Sequence, residues 1–369
     1  MSTEVIKVRT PQEVPQAAAA GARAIRAGQL VGFATETVYG IAANAANPGS
    51  TERLRELKGR PERPFGVHLG YPEQSSRYVR NVPHPARRLM QRSWPGPVTL
   101  LLPTGGKLAS SEFADLHDEL TWRGTIGLRC PDEPVSRAML SAISDPVVAS
   151  SANLPGRQSP RNPEEVLAGL DGKIDLLIDS GQTALGTDST IVLFDGADYR
   201  IVREGAVSAE DVERMIHRTY TFACTGNTCR SPMAEGIART LLTRRLGCRE
   251  GQLAKHGLEL HSAGLFTFGG QPATPEAIAA AREYGADLSA HESRKLDERL
   301  IQKSDMIFCM TEHHAESIRL QAPQHAGKVR RLDLKADVPD PIGGDEGTYR
   351  RTAEHIHSAL ADLLDEGLL

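Results

Sequence analysis

The stretch TYTFACTGNTCRSPMAEGIARTLLTRR, residues 219–245, decides how the second half of the chain is read. Thr219 to Ala223 suit a short strand, and Cys224 to Arg230 add two thiols and a guanidinium to small or polar residues. From Pro232 to Arg245, Met233, Ile237 and Leu241 recur on one helical face. Strand, tight loop and helix in that order put a cysteine opposite a helix N-terminus. A metal loop is disfavoured, because Cys224 and Cys229 have no nearby histidine or second pair and match no common zinc spacing. Redox pairing of the two thiols stays open. In a phosphate cradle, the backbone N–H groups of Thr225 to Arg230 point inward, and Ser231-Pro232 opens a helix whose N-terminus adds fixed positive potential. Arg230 then clamps phosphoryl oxygens, the same field favours a thiolate, and Cys224 attacks phosphorus to give a cysteinyl-phosphate that water hydrolyses. The leaving group needs a proton, which Asp340 in VPDPIGG, residues 338–344, is placed to supply as general acid; Asp-Pro also serves simply to start turns.

Outward from this stretch, a helix at Pro275 to Tyr284, a strand at Met306 to Met310 and a final helix near Tyr349 to Leu364 predict a small parallel sheet flanked by helices. On the other side, a helix from Ser208 to about His217 closes an earlier unit. The 369 residues exceed one core, and two α/β domains are expected, 1–210 and 219–369. In the first, an amphipathic helix over 12–28 precedes strands at Leu30 to Ala34, Phe65 to Leu69, Val98 to Leu102, Thr125 to Leu128, Val147 to Ser150, Ile174 to Ile178 and Ser189 to Phe194. Helices fall at Glu133 to Ile143 and Pro163 to Leu170, and the uneven spacing favours a mixed sheet.

Composition narrows the classes. Hydrophobic residues make up 40% and charged residues 24%, as in ordinary globular protein. No leader-like apolar run occurs, nor one of the ~18 residues needed to span a bilayer, so a cytoplasmic protein without membrane association is expected. Five cysteines are too few for a disulfide framework. The net charge of −4 names no partner, but Gln74 to Ser111 contain no acid and hold Arg77, Arg80, Arg87, Arg88, Arg92 and Lys107. That segment reads either as a tRNA-facing surface or as a solvated helix face.

The loop CTGNTCRSPMAEG, with HSAG at 261–264, DMIFCMT at 305–311 and DPIGG at 340–344, resembles the low-molecular-weight protein tyrosine phosphatases over about residues 219–369. The resemblance implies Cys224 as nucleophile, Arg230 as clamp and Asp340 as acid then base. It implies that Thr225, Gly226, Asn227, Thr228, Cys229 and Ser231 form the phosphate loop, with Cys229 able to protect the nucleophile as a disulfide. No cofactor is implied, and phosphoproteins are the substrates. Tyrosine-directed members carry an aliphatic residue at Thr228 and aromatics after Asp-Pro, where this chain has Ile342, Gly343 and Gly344. The arginine phosphatases resemble CTGNTCRS, which favours phosphoarginine, with phosphotyrosine as the alternative. Arsenate reductases share a similar loop but need a further cysteine pair, and only Cys309 lies downstream in that region.

In the first domain no Walker loop occurs; TGGKLAS, 104–110, reads as a turn. Polar groups gather in ATETVYG (34–40), KGRPERPFGVHL (58–69), WPGPVTLLLP (94–103), GTIGLRCP (124–131), SSANLPGRQSP (150–160), GTDSTIV (186–192) and VREG (202–205). Cations beside hydroxyls at strand ends suit a polyanion plus a carboxylate. The order of these motifs is similar to the YrdC/Sua5 family of L-threonylcarbamoyladenylate synthases over about residues 10–210.

That resemblance implies condensation of L-threonine, bicarbonate and ATP to threonylcarbamoyl-AMP and pyrophosphate, for the t6A modification of tRNA. Thr37, His68, Arg129 and Ser189 match the threonine-binding positions, and Lys58, Arg60, Thr125, Ser151, Asn153, Ser159 and Arg203 those around ATP. Mg2+ would bridge the phosphates without protein side-chain ligands, and tRNA with the t6A transferase machinery are further partners. Ala34 stands where the family usually has proline, and Arg63 near a position usually filled by lysine or asparagine. The expected whole is a bifunctional enzyme, synthase plus phosphatase. The rival makes the first domain a double-stranded RNA-binding module.

Overall fold

The computed structural model describes residues 2–60 and 64–368, and divides into two compact units, Met1–Ile216 and His217–Leu369. In the first, the strands are β1 (Glu4–Lys7), β2 (Val31–Phe33), β3 (Gly40–Asn44), β4 (Gly66–His68), β5 (Val98–Pro103), β6 (Thr121–Trp122), β7 (Thr125–Arg129), β8 (Val147–Ser151), β9 (Leu176–Asp179), β10 (Thr190–Asp195) and β11 (Asp198–Arg203). They form one sheet in the order β1-β9-β2-β3-β8-β4-β7-β5-β10-β11, with β6 on β7. Pairing is mixed: β4 runs parallel to β7, whereas β8 lies antiparallel to both β3 and β4.

The helices are α1 (Val14–Arg26), α2 (Pro48–Lys58), α3 (His84–Ser93), α4 (His117–Leu120), α5 (Pro134–Ser141), α6 (Pro163–Leu170) and α7 (Ala209–Ile216). Residues alternating along a strand point to opposite faces, and two apolar clusters follow. One face packs Ile25, Phe33, Met139 and Ile178 under α1 and α5; the other packs Leu54, Leu89, Leu100, Leu128 and Phe194 under α2, α3 and α7. Fully burying a side chain of this size contributes roughly 1.5–3 kcal/mol.

The second unit holds β12 (Arg218–Cys224), β13 (Leu258–Gly264), β14 (Met306–Cys309) and β15 (Val329–Arg331), with α8 (Arg230–Leu246), α9 (Pro275–Arg282), α10 (Glu298–Lys303), α11 (Glu312–Gln321) and α12 (Glu346–Asp365). The sheet order is β13-β12-β14-β15 and every pairing is parallel. One face buries Phe222, Met233, Ile237 and Ile356 beneath α8, α9 and α12; the other buries Ile307, Cys309 and Ile318 beneath α10 and α11. The order reverses direction at β12, so the crevice beyond its carboxyl end is where such a sheet binds ligands. Cys224 is the last residue of β12.

The segment after β11, folded back on the start of β10, shows how a motif earns its shape. Thr190 is fully buried, donates to Val207 O (2.6 Å) and accepts from the backbone N–H of Gly205 (3.0 Å) and Val207 (3.0 Å). A Cβ on Gly205 would fall 2.1 Å from Asp188 O, so the VREG glycine lets this loop close over GTDSTIV. Gly105 and Gly106 have φ of 63° and 83°, and TGGKLAS is a turn. Among the described residues, no helix is long and apolar enough to cross a membrane.

Candidate active sites

In the second unit Cys224 is buried at the carboxyl end of β12. Its Sγ lies 2.9 Å from Ser231 Oγ and accepts the Asn227 N–H at 3.3 Å. Asn227 holds the turn: its φ of 58° is a left-handed value that asparagine tolerates better than most residues. Its Nδ2 donates to Ser231 Oγ (2.9 Å), its Oδ1 accepts from Arg294 N–H (2.9 Å), and its carbonyl lies 2.8 Å from His291 Nε2. HSAG acquires a reason as well: a Cβ on Gly264 would lie 2.8 Å from Thr225 O, so only glycine lets β13 run this close to the loop.

The helix α8 begins at Arg230, two residues before the expected start, so the loop runs directly into its first turn. Arg230 is buried and donates to Asp340 Oδ2 (2.5 Å) and Val338 O (3.3 Å). Asp340 keeps 43% of its side chain exposed, as a group that meets a substrate must. Cys229 is buried, 3.5 Å from the Tyr349 hydroxyl and 3.6 Å from Thr228 Oγ1. A Cβ on Gly226 would sit 3.7 Å from Thr228 Oγ1, so that hydroxyl lies beside Gly226 within the loop. Thr225 pairs with His314 across β14. Backbone amides at a helix N-terminus, a thiol held by a hydroxyl, a buried guanidinium and an accessible carboxyl can together bind a phosphoryl group and transfer it to sulfur.

In the first unit, a pocket of about 170 Å³ is lined by Thr35, Arg60, His68, Arg129, Ser151, Asp188, Ser189 and Arg203, among others. A larger cavity of about 600 Å³ lies on the other side of Arg60, but Glu52, Glu56, Asp115 and Glu119 in its wall disfavour a polyanion. The convergent cations are in the smaller one. Arg129 ends β7; its Nη2 donates to Glu36 Oε1 (2.7 Å) and Thr37 Oγ1 (2.6 Å), while its buried Nε has no partner among the described residues. The guanidinium is already paired with the Glu36 carboxylate, and its Nε keeps one N–H to give. His68 ends β4, its Nδ1 3.2 Å from Gly66 O; desolvation, with the Arg129 charge added, pushes its pKa down to about 3 and keeps it neutral.

Ser189 Oγ lies 3.0 Å from Thr99 Oγ1, and Arg203 donates to Ser189 O at 2.8 Å. Ser159 donates to Asp188 Oδ1 (3.0 Å), and Arg203 Nη1 is 3.8 Å from Asp188 Oδ2. Lys58 spends three N–H bonds on Ser151 O (2.8 Å), Asn153 O (2.6 Å) and Asn153 Oδ1 (2.9 Å), and Ser151 donates to Asn153 Oδ1 (2.6 Å). Burial brings its pKa down to about 8, with Arg60 adding to the effect. Lys58 thus shapes the β8 loop. Thr125 is apart: it shares a face of β7 with Arg129 but lies four residues away, roughly 13 Å along the strand, and its hydroxyl donates to Trp122 O (2.8 Å). Arg63 lies outside the described residues.

The sequence reading did not single out Glu36, Asp188 or Thr99, although all three stand inside quoted motifs. Nor did it place His291, Arg294, His314 or Tyr349 at the site, since these come from distant segments. In the acid-free segment, Arg77 pairs with Glu112 over the Phe113 ring, Arg80 donates to Ala109 O, and Arg88 and Arg92 donate to carbonyls at the end of α7. Those charges are engaged within the unit.

Fold and geometry therefore define a two-part protein: a cysteine phosphate loop on a parallel sheet, and an arginine-lined pocket on a mixed one. Residues 23–205 match the Sua5, YciO and YrdC family described as Telomere recombination, and residues 219–368 match Low molecular weight phosphotyrosine protein phosphatase. A putative threonylcarbamoyl-AMP synthase of Mycobacterium tuberculosis is 32% identical over 215 residues, 58% of this chain and 95% of that one. The protein-arginine-phosphatase of Bacillus subtilis is 35% identical over 147 residues, 38% of this chain and 91% of that one. The chain belongs to both families, one per unit. The threonylcarbamoyl-AMP synthase of Bacillus subtilis is 33% identical over 240 residues, 64% of this chain, which spans 66% of that relative's length. The crystal structure of P. abyssi Sua5 complexed with L-threonine shares the fold, with a TM-score of 0.52 at 22% identity over 97% of this chain and 98% of that one.

Proposed function

We propose that the chain is a bifunctional enzyme. The first unit makes threonylcarbamoyl-AMP from L-threonine, bicarbonate and ATP; the second dephosphorylates proteins through a cysteinyl-phosphate, with phosphoarginine as the preferred substrate. Arg129 carries the synthase reading, as a buried guanidinium with an unpartnered Nε beside neutral His68, suited to a threonine carboxylate. The nucleotide extends from there past Arg60 and Arg203, which line the same pocket. The carboxylate of threonylcarbamate attacks the α-phosphorus, the new P–O bond forms as the bond to the β-phosphate oxygen breaks, and pyrophosphate leaves with that electron pair. The protein's part is to hold the reactants in line and exclude water. Mg2+ bound with ATP would offset phosphate charge, held by the phosphates and without protein side-chain ligands.

In the second unit the Cys224, Asn227 and Ser231 network carries the reading. Ser231 Oγ stabilises the thiolate, Arg230 and the loop amides hold the phosphoryl oxygens, and Asp340 gives its proton to the leaving nitrogen. Asp340 then takes a proton from the water that splits the S–P bond. The relative named protein-arginine-phosphatase and the hydroxyl of Thr228 within the loop support phosphoarginine.

Both halves are tested on the full chain. Pyrophosphate release should require threonine and bicarbonate together; none in folded protein that binds ATP would sink the synthase. Phosphoarginine peptides should be hydrolysed at a higher kcat/KM than phosphotyrosine peptides, and Thr228→Ile should cut that preference about tenfold. An unaltered preference would remove Thr228 as its source.

A further inference from the structure

His314 is a buried histidine that the phosphatase chemistry above does not employ. It is 4% exposed in the first turn of α11, and its Nε2 lies 2.9 Å from Thr225 Oγ1. On the other side its Nδ1 is 2.8 Å from Thr311 Oγ1, which caps the helix by accepting the His314 N–H at 3.2 Å. The sheet creates this contact. β14 pairs with β12, and Met310 N–H donates to Ala223 O (3.0 Å), so α11 begins beside the phosphate loop. Thr225 itself is exposed at the mouth, directly after the nucleophile, with its carbonyl accepting from Phe266 N–H at 2.9 Å.

Burial, followed by the charges of Arg230 and His313, pushes the His314 pKa down to about 4 against the opposing pull of Asp340 and Asp337. The ring is therefore neutral at pH 7, with one N–H and one acceptor nitrogen. We assign the N–H to Nδ1, donating to Thr311 Oγ1, and the lone pair to Nε2, accepting the Thr225 hydroxyl proton. That hydroxyl then points its hydrogen into the protein and its lone pairs toward the mouth.

On the basis of the phosphoarginine reading, we propose that Thr225 is a specificity-determining residue whose oxygen accepts an N–H of the phosphorylated guanidinium, with His314 as the positioning residue that turns it. A guanidinium brings a cluster of donors, and the outward lone pairs match them. A phenyl ring brings none, so an aryl phosphate leaves the hydroxyl oxygen desolvated and unpaired. The electrostatics agree, since a neutral His314 does not repel the guanidinium of the substrate.

The test compares kcat/KM for a phosphoarginine peptide and for p-nitrophenyl phosphate in the full chain and in Thr225→Val, Thr225→Ser and His314→Leu. Thr225→Val should lower the ratio of the two values about tenfold, and Thr225→Ser should restore it. His314→Leu should lower it too, because the hydroxyl remains but loses its orientation. If the two substrates fall by the same factor, or the ratio stays within about twofold, the inference is overturned. Should His314→Leu fail to fold, the exposed Thr225 pair decides alone. A full chain that prefers phosphotyrosine overturns the phosphoarginine reading and this inference with it. A full chain that prefers phosphoarginine, with the ratio unmoved in Thr225→Val, overturns the inference alone.

Discussion

At the residue scale, chemistry is set by what surrounds a side chain more than by its type. His68 illustrates this. Desolvation and the Arg129 guanidinium hold its pKa at about 3, against about 6.5 in an unfolded chain. Because the folded value is depressed, the unfolded state binds the proton first as pH falls; the stabilising contribution is whole above pH 6.5 and is lost progressively toward pH 3. Scanning calorimetry at pH 7 and pH 4.5 should therefore show a smaller acid-induced fall in melting temperature for His68→Gln than for the unmodified chain. An equal fall would show that the neutral imidazole is not what acid removes. His68 could be picked out of KGRPERPFGVHL, but its neutrality comes first from its burial in the folded sheet and then from Arg129 on a neighbouring strand, 61 residues away in sequence.

At the element scale, loops take their shape from elements far along the chain. Asn227 is positioned by Ser231 four residues on, yet equally by Arg294 and His291 from the segment before α10. Asn227→Ala puts an ordinary residue at φ 58° and leaves the Arg294 N–H without its acceptor and Ser231 Oγ without the Nδ2 donor, a cost of about 2–3 kcal/mol. The melting transition of the second unit should fall by about 5–10 °C in calorimetry, and by less in Asn227→Gly, which relieves the backbone. Equal shifts would assign the whole effect to side-chain bonds.

The elements themselves were unevenly legible. Pro163–Leu170 and the strands with branched runs were readable from periodicity. β3, whose sequence is GIAAN, lacks such a run and is a strand because both its neighbours bury it. α2 carries a weak apolar face on a charged sequence, although Asn47 and Pro48 mark its start by capping. α12 begins at Glu346, not near Tyr349, because Asp345 caps it through Thr348 N–H (2.8 Å).

At the scale of the whole molecule, the sequence by itself determined the class of each half and the local form of its loops. Strand, CTGNTCRSP and helix are adjacent in sequence, so the order of residues already builds the cradle, and the separated motifs of the first half fall in a recognisable order. The tertiary structure alone decided the mixed strand order, the pairing of Arg129 with Glu36, the use of Lys58 to brace Asn153, and the meeting of Thr225 with His314. Sequence periodicity reports which face a residue presents within about one element, because it reflects local backbone geometry. Which buried donor meets which acceptor depends on sheet register and chain crossings between segments as far apart as Arg230 and Asp340, and no local pattern encodes them.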